Sequence, residues 1–156
     1  MTQLGTDNFA RVDQDGKWPV GPVVSESATQ YQDGTNLEAR IKQQTDSGHG
    51  GSSASQTQEG VDHYAKAWQF SWNSSIIQEQ YGSEGGNWAE AYQKHYNNSI
   101  TQIQDGKGNV AAVDEQSGWG SVVGNSASQT QIGNWNHTLI GQNGGDGNSA
   151  EVVQSG

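Results

Sequence analysis

The residues best placed to do chemistry in this chain are amides, and their spacing is the first thing the sequence offers. Gln14, Gln32, Gln43, Gln58, Gln69, Gln80, Gln93, Gln104, Gln131, Gln142 and Gln154 close successive copies of one frame, Asn-x-Ala-x-x-x-Gln-x-Gly. Twelve copies can be laid down, Glu115 closing the remaining one, and six of the eleven spacings between closing positions are 11 residues. A glutamine side chain carries one acceptor oxygen and two N–H donors. Identical glutamines stacked one strand layer apart can therefore bond upward and downward along the stack. Asn8, Asn87, Asn98, Asn109, Asn125, Asn136 and Asn148 open copies of the same frame and supply a second set of stackable amides. This is a chemistry of assembly, and it requires every copy to present its amide at the same height and on the same side.

The elements that could do so are short strands. Copies alternate in type: Phe9-Ala-Arg-Val-Asp-Gln14 and Tyr64-Ala-Lys-Ala-Trp-Gln69 represent the odd ones, Ser27-Ala-Thr-Gln-Tyr-Gln32 and Ser53-Ala-Ser-Gln-Thr-Gln58 the even ones. Small or apolar residues alternate with polar ones at period two, as a strand requires, and no 3.6-residue period is present. Gly5, Gly16, Gly34, Gly60, Gly82, Gly106 and Gly133, with the asparagines, supply left-handed backbone for corners. The pattern predicts an all-β, two-sheet β-solenoid of about six turns: twelve short strands, with roughly 22 residues per turn. At ~4.8 Å per layer the rod would stand about 29 Å tall. Residues 1–156 form one domain on this reading, with loop insertions at about 17–25, 44–51, 83–86 and 117–124.

Parity assigns the interior. Odd strands place Val12, Ile41, Ala67, Ala91, Val113 and Ile140 inside, and even strands place Gln30, Gln56, Gln78, Gln102 and Gln129, with Val152 in the last turn. The interior is thus narrow and partly amide, and stacking answers the few kcal/mol that an unpaired buried amide would cost. Composition agrees that no ordinary core is available: 30% of residues are hydrophobic, mean hydropathy is −0.86, and Gly occurs 22 times. Such values lean toward disorder unless repeated hydrogen bonding supplies the order. There are no cysteines, so neither a disulfide framework nor a thiolate metal site is expected. No apolar stretch approaches the ~18–20 residues of a membrane helix, and Met1 is followed by no basic start or apolar core, so no signal peptide is expected. A net charge of −10 argues against nucleic acid or anionic membrane as partners.

Outward positions suggest surfaces. Tyr64, Trp68, Trp88 and Tyr92 gather on the odd face as a candidate patch for lateral fibre contact or adhesion, although cross-strand pairing that stiffens the sheet would use them equally well. The even face carries Ser27, Ser53, Ser75, Ser99, Ser126 and Ser149 in one column, which raises the alternative of a monomeric ice-binding protein or surface adhesin. Catalysis is not expected. His49, His63, His95 and His137 are scattered over corners and loops, and no metalloprotease, nucleophile-elbow or phosphate-loop motif appears. Gly144-Gly-Asp-Gly-Asn148 and Asp105-Gly-Lys-Gly-Asn109 faintly resemble calcium-binding turns but do not recur at a fixed period. No cofactor or metal is expected.

The frame Ser/Asn-x5-Gln-x-Gly-x2-Asn-x-Ala-x3-Gln is similar to the curlin repeat of curli fibres. Asn98 through Gln104, Gly106, Asn109 and Ala111 satisfies it up to the last position, where Glu115 stands for Gln, and Gln3, Gly5, Asn8, Ala10 and Gln14 match its second part. The resemblance covers essentially the whole chain. Leu37, His63, Glu26, Ser52 and Ser74 depart from it at Asn positions, Thr138 at an Ala position, and Ser71 and His95 at Gly positions. It implies a secreted, cell-surface subunit of a functional amyloid, found in the biofilm matrix of a Gram-negative-type bacterium. Such a subunit would act in adhesion and aggregation, and its partners would be itself, a nucleating minor subunit and an outer-membrane secretion channel. The family's ladder roles fall on the closing glutamines and on the seven asparagines named above. A solenoid with uncapped ends exposes unpaired strand edges, so copies are expected to stack head to tail, the first strand on the neighbour's eleventh and the second on its twelfth.

Overall fold

The computed structural model describes residues 1–17, 26–46, 51–116, 124–145 and 147–156. Thirteen strands wind into two parallel sheets. The first sheet holds β1 (Thr2–Thr6), β3 (Ser27–Thr35), β5 (Ser53–Val61), β7 (Ser75–Gly82), β9 (Ser99–Lys107), β11 (Ser126–Asn134) and β13 (Ser149–Ser155), in that order. The second holds β2 (Phe9–Lys17), β4 (Glu38–Asp46), β6 (Tyr64–Trp72), β8 (Trp88–Tyr96), β10 (Val110–Gln116) and β12 (His137–Asn143), also in order. The chain alternates between sheets at every strand, which is an all-β two-sheet solenoid, and no helix occurs among the described residues.

Register follows the repeat. Gln14 pairs with Gln43, Gln43 with Gln69 and Gln69 with Gln93 in the second sheet. Gln3 pairs with Gln32, Gln32 with Gln58 and Gln58 with Gln80 in the first. A turn of the solenoid takes between 22 and 29 residues, and the extra length falls in the corners. Expectation and structure differ by one strand. Residues 2–6 form β1 on the outer edge of β3, although they carry only the Gln3-x-Gly5 part of the frame. The backbone ladder needs no Ala or Asn to continue for one more half-turn.

Two of the expected insertions are shorter than their boundaries implied. β2 extends through Lys17 and β4 through Asp46, so 17 and 44–46 belong to strands; 18–25, 47–50 and 117–123 lie outside the described residues. Ser83–Gly86 does lie between β7 and β8, with Gly85 at φ 53°.

The interior is a thin apolar seam beside columns of amide. Ile41, Ala67, Ala91, Val113 and Ile140 of the second sheet pack with Ala54, Ile76, Ile100 and Ala127 of the first, and Val12, Ala28, Ala150 and Val152 close the ends. Bulk alternates between sheets: where the second carries Ala67 and Ala91, the first carries Ile76 and Ile100. The gap stays filled as the chain climbs, as close packing demands.

Corners explain the glycines. Gly5, Gly34, Gly60, Gly82, Gly106 and Gly133 all have left-handed φ and stand in one column of the first sheet. A Cβ on Gly60 would come within 1.7 Å of the Gly82 carbonyl oxygen, and one on Gly34 within 1.8 Å of that of Gly60. Gly16 is different. It falls inside β2 in register with Thr45, and no glycine column forms on that sheet, because β2 and β4 stay extended beyond their closing glutamines.

Candidate assembly site: amide columns and open end layers

The glutamines of the inner layers are each held twice. In the first sheet, one Nε2–H of Gln32 donates to Gln58 Oε1 at 2.8 Å, and Nε2 also donates across the rod to the Phe9 carbonyl at 3.1 Å. The pattern repeats at Gln58 (to Gln80 and the Glu38 carbonyl), Gln80 (to Gln104 and Tyr64) and Gln104 (to Gln131 and Trp88). A second column runs Gln30, Gln56, Gln78, Gln102, Gln129, each amide bonded to the next at 2.8–2.9 Å and to a carbonyl of the second sheet. The second sheet has one such column, Gln14 to Gln43 to Gln69 to Gln93. Its members bond back to the Ser27, Ser53 and Ser75 carbonyls. In the inner layers each amide thus joins two layers and also ties the sheets together. The cross-rod bonds were not legible from repeat spacing, because they depend on the separation of the sheets.

The columns have a polarity. Along each, the Nε2 of the earlier residue donates to the Oε1 of the later one, from Gln3 upward. Near the far end Thr138, the residue at an Ala position, inserts its hydroxyl: Gln131 Nε2 donates to Thr138 Oγ1 at 2.9 Å, and that hydroxyl donates to Gln154 Oε1.

Asparagines cap the corners by the same logic. Asn109 N–H donates to Asn87 Oδ1, Asn125 N–H to Asn98 Oδ1, Asn136 N–H to Asn109 Oδ1 and Asn148 N–H to Asn125 Oδ1, at 2.9–3.1 Å. The side-chain amides of Asn8, Asn87, Asn98, Asn109, Asn136 and Asn148 donate to carbonyls of the preceding corner. Three of the departures from Asn preserve this scheme. His63 Nδ1 accepts from Asn87 N–H at 3.1 Å while Nε2 faces the Glu59 carbonyl at 3.1 Å. That is the tautomer in which a neutral imidazole imitates an Asn side chain, and burial pushes the imidazole pKa down from its ordinary value. Ser52 and Ser74 donate to the Ser71 and Trp72 carbonyls and accept from Ser74 N–H and Asn98 N–H. Leu37 N–H donates to Asn8 Oδ1, but the Leu37 side chain offers no acceptor to the layer above.

The outer faces differ. Between the Ser column and the corner glycines, the first sheet carries Asp33, Glu59, Glu79, Asp105 and Glu151 and no Lys or Arg. The second sheet's face is mixed: it carries Arg11, Arg40, Lys42, Lys66 and Lys94 with Asp13, Glu38, Glu90 and Asp114, and Arg11, Arg40 and Lys66 pair with Asp13, Glu38 and Glu90. Here the four expected aromatics resolve into two pairs. Tyr64 and Trp88 stack at 4.2 Å, and Trp68 and Tyr92 sit in register, linked through Phe70 at 6.4 and 5.7 Å. Trp72 and Tyr96, at 4.4 Å, extend the cluster and were not singled out from the sequence. Lys66 lies 4.1 Å from the Trp68 ring centroid. No cluster of three or more metal-ligating side chains occurs among the described residues.

These features define a class: a parallel two-sheet β-solenoid whose interior is laddered by glutamine and cornered by asparagine. No family model matches the chain, and no curated protein or solved structure is significantly similar to it.

Proposed function

We propose that this chain is a structural subunit of an extracellular amyloid-type fibre of the curli kind, built by end-to-end stacking of solenoids and serving adhesion and aggregation in a biofilm matrix. One observation carries the reading: among the described residues the outermost strands of both sheets are bonded on one side only, and their outward amide groups are complementary. β1 and β13 are the outermost strands of one sheet, β2 and β12 of the other. By the polarity of the columns, one end presents Gln3 and Gln14 Oε1 and the other presents Gln142 and Gln154 Nε2. In a stacked pair, Gln142 lies over the neighbour's Gln14 and Gln154 over its Gln3, with Gly156 over Gly5. Because β1 covers β3, the strand meeting β13 in the junction is β1, and β3 is no longer the partner that repeat counting suggested. Such a contact is heterologous and does not close, so it propagates as a filament. The similarity of the repeat to curlin supports secretion and a nucleating partner as parts of the same reading.

Incubation of the purified chain tests it. A lag followed by thioflavin-positive fibres with a meridional reflection near ~4.8 Å is expected. A chain that stays monomeric for days at high concentration would overturn the fibre reading, and thermal hysteresis in that monomer would favour ice binding.

A further inference from the structure

Glu115 is the one carboxyl in a glutamine column. It stands in register between Gln93 and Gln142 and has no exposed area. Gln93 Nε2 approaches Glu115 Oε2 at 3.4 Å, but Glu115 Oε1 has no partner, and neither has Gln142 Oε1 in the layer above. The Glu115 layer also lacks the cross-rod amide bond that the other layers make. The carbonyls of Ser27, Ser53, Ser75 and Ser126 each receive an amide proton from the closing glutamine of the facing strand. Glu115 occupies the position from which Ser99 would receive one.

No charge compensates the site. Its neighbours in the column are neutral amides, the facing corner is built of Asn98, Ser99 and Asn125, and Val113, Ile100 and Ala127 complete the interior. Asp114 points outward on β10, and Lys94 of β8 is exposed on the outer face. The segment 117–123 contains no ionisable residue. A carboxylate taken from water into such a place is costly, so near neutral pH the group binds a proton instead.

We infer that Glu115 is a proton-binding site: the folded rod holds one proton on its carboxyl, and the resulting O–H supplies the one donor that a carboxylate lacks, to Gln142 Oε1 or to the Ser99 carbonyl. Burial pushes the carboxyl pKa up to about 8 from an ordinary 4.5, in the direction this geometry requires. In the unfolded chain the same group is ionised at neutral pH, so folding takes up one proton. The sign follows. The folded state binds the extra proton between the two pKa values, so stability is fully present below about 4.5 and falls as pH rises toward 8. The folding constant should drop about tenfold per pH unit between 6 and 7.5, and about a hundredfold in all between 6 and 9. This inference rests on the solenoid alone and holds whether rods stay single or polymerise.

The experiment compares the full chain with Glu115→Gln, which restores both amide donors. Infrared spectra of the folded native protein at pH 6.5 should contain a protonated-carboxylic-acid band absent from E115Q, and calorimetric refolding at pH 6.5 in buffers of different ionisation enthalpy should count close to one more proton taken up by native protein than by E115Q. Denaturant midpoints should fall from pH 6 to 9 for the native chain relative to E115Q. Absence of the acid band, equal proton uptake, or an unchanged pH profile in E115Q would each overturn the assignment, and the infrared measurement on native protein does not depend on how well the variant folds.

Discussion

The two sheets share one lumen and one repeat, yet they solve the interior differently. Both contribute to the aliphatic seam, but the first adds two amide columns and closes each turn on a glycine column, whereas the second adds one amide column, interrupted at Glu115. Order in the first sheet is therefore directional: each layer is fixed by hydrogen bonds at 2.7–3.1 Å to the one above. Order in the second leans more on burial, which tolerates exchanges that conserve volume. Substitutions that respect volume but not hydrogen bonding should therefore be far more damaging in the first sheet.

Glycine offers the sharpest contrast. Gly60→Ala in the first sheet puts a methyl 1.7 Å from backbone, at φ 132°, with no side chain able to give way. A loss of at least 3 kcal/mol, or failure to fold, is expected. Gly141→Ala on β12 meets nothing within 4 Å. Its denaturant midpoint should match the native protein's or lie slightly above it, since Ala loses less backbone entropy than Gly. Equal damage at both positions would refute the view that the sheets are stabilised differently.

Amide substitution comes next. Replacing Gln32, Gln58 and Gln131 together by Glu removes two donors per site and returns at most one, at a cost of about 1–3 kcal/mol each. Fibre growth at neutral pH should slow markedly, with partial recovery at pH 4 where the new acids are neutral. Unchanged growth kinetics would argue against the columns as the source of order.

Much of this was readable in advance, because the closing glutamines recur too regularly to permit more than one register; the pairing of Gln14, Gln43, Gln69 and Gln93 follows from spacing alone. What could not be read were effects of distance between segments. The bonds from Gln32 to Phe9 and from Gln69 to Ser53 cross from sheet to sheet and appear in no one-dimensional pattern. β1 was missed because its fragment of the frame lacks the Ala and Asn positions. His63, Ser52 and Ser74 looked like defects in the Asn columns, and only their hydrogen bonds reveal them as equivalents.

His63 makes a pH-dependent test of that equivalence. Its folded pKa is depressed by burial, so the unfolded chain binds the proton more readily. Stability from this site is then complete above the ordinary pKa of 6.5 and declines as pH falls below it, when a proton on Nδ1 would set two N–H groups against each other at Asn87. Below pH 6 the native chain should lose stability relative to His63→Asn, which keeps an acceptor in the column at every pH. Parallel profiles for the two proteins would mean that His63 is not part of the column.

A modest effect is expected where the column already fails. Leu37 is buried in an asparagine position and has no side-chain acceptor for the layer above, but its side chain is apolar and fully covered. Leu37→Asn would restore a bond worth about 0.5–1.5 kcal/mol while giving up about 1.5–3 kcal/mol of apolar burial. The two offset in part, so the change in stability should be a net loss between about 0 and about 2.5 kcal/mol. A gain would show that column continuity outweighs burial even at the corner, and would extend the hydrogen-bonded logic of the first sheet to the rod as a whole. A loss much beyond that range would mean that the turn is shaped around a leucine, so that the break at Leu37 is part of how this rod is built.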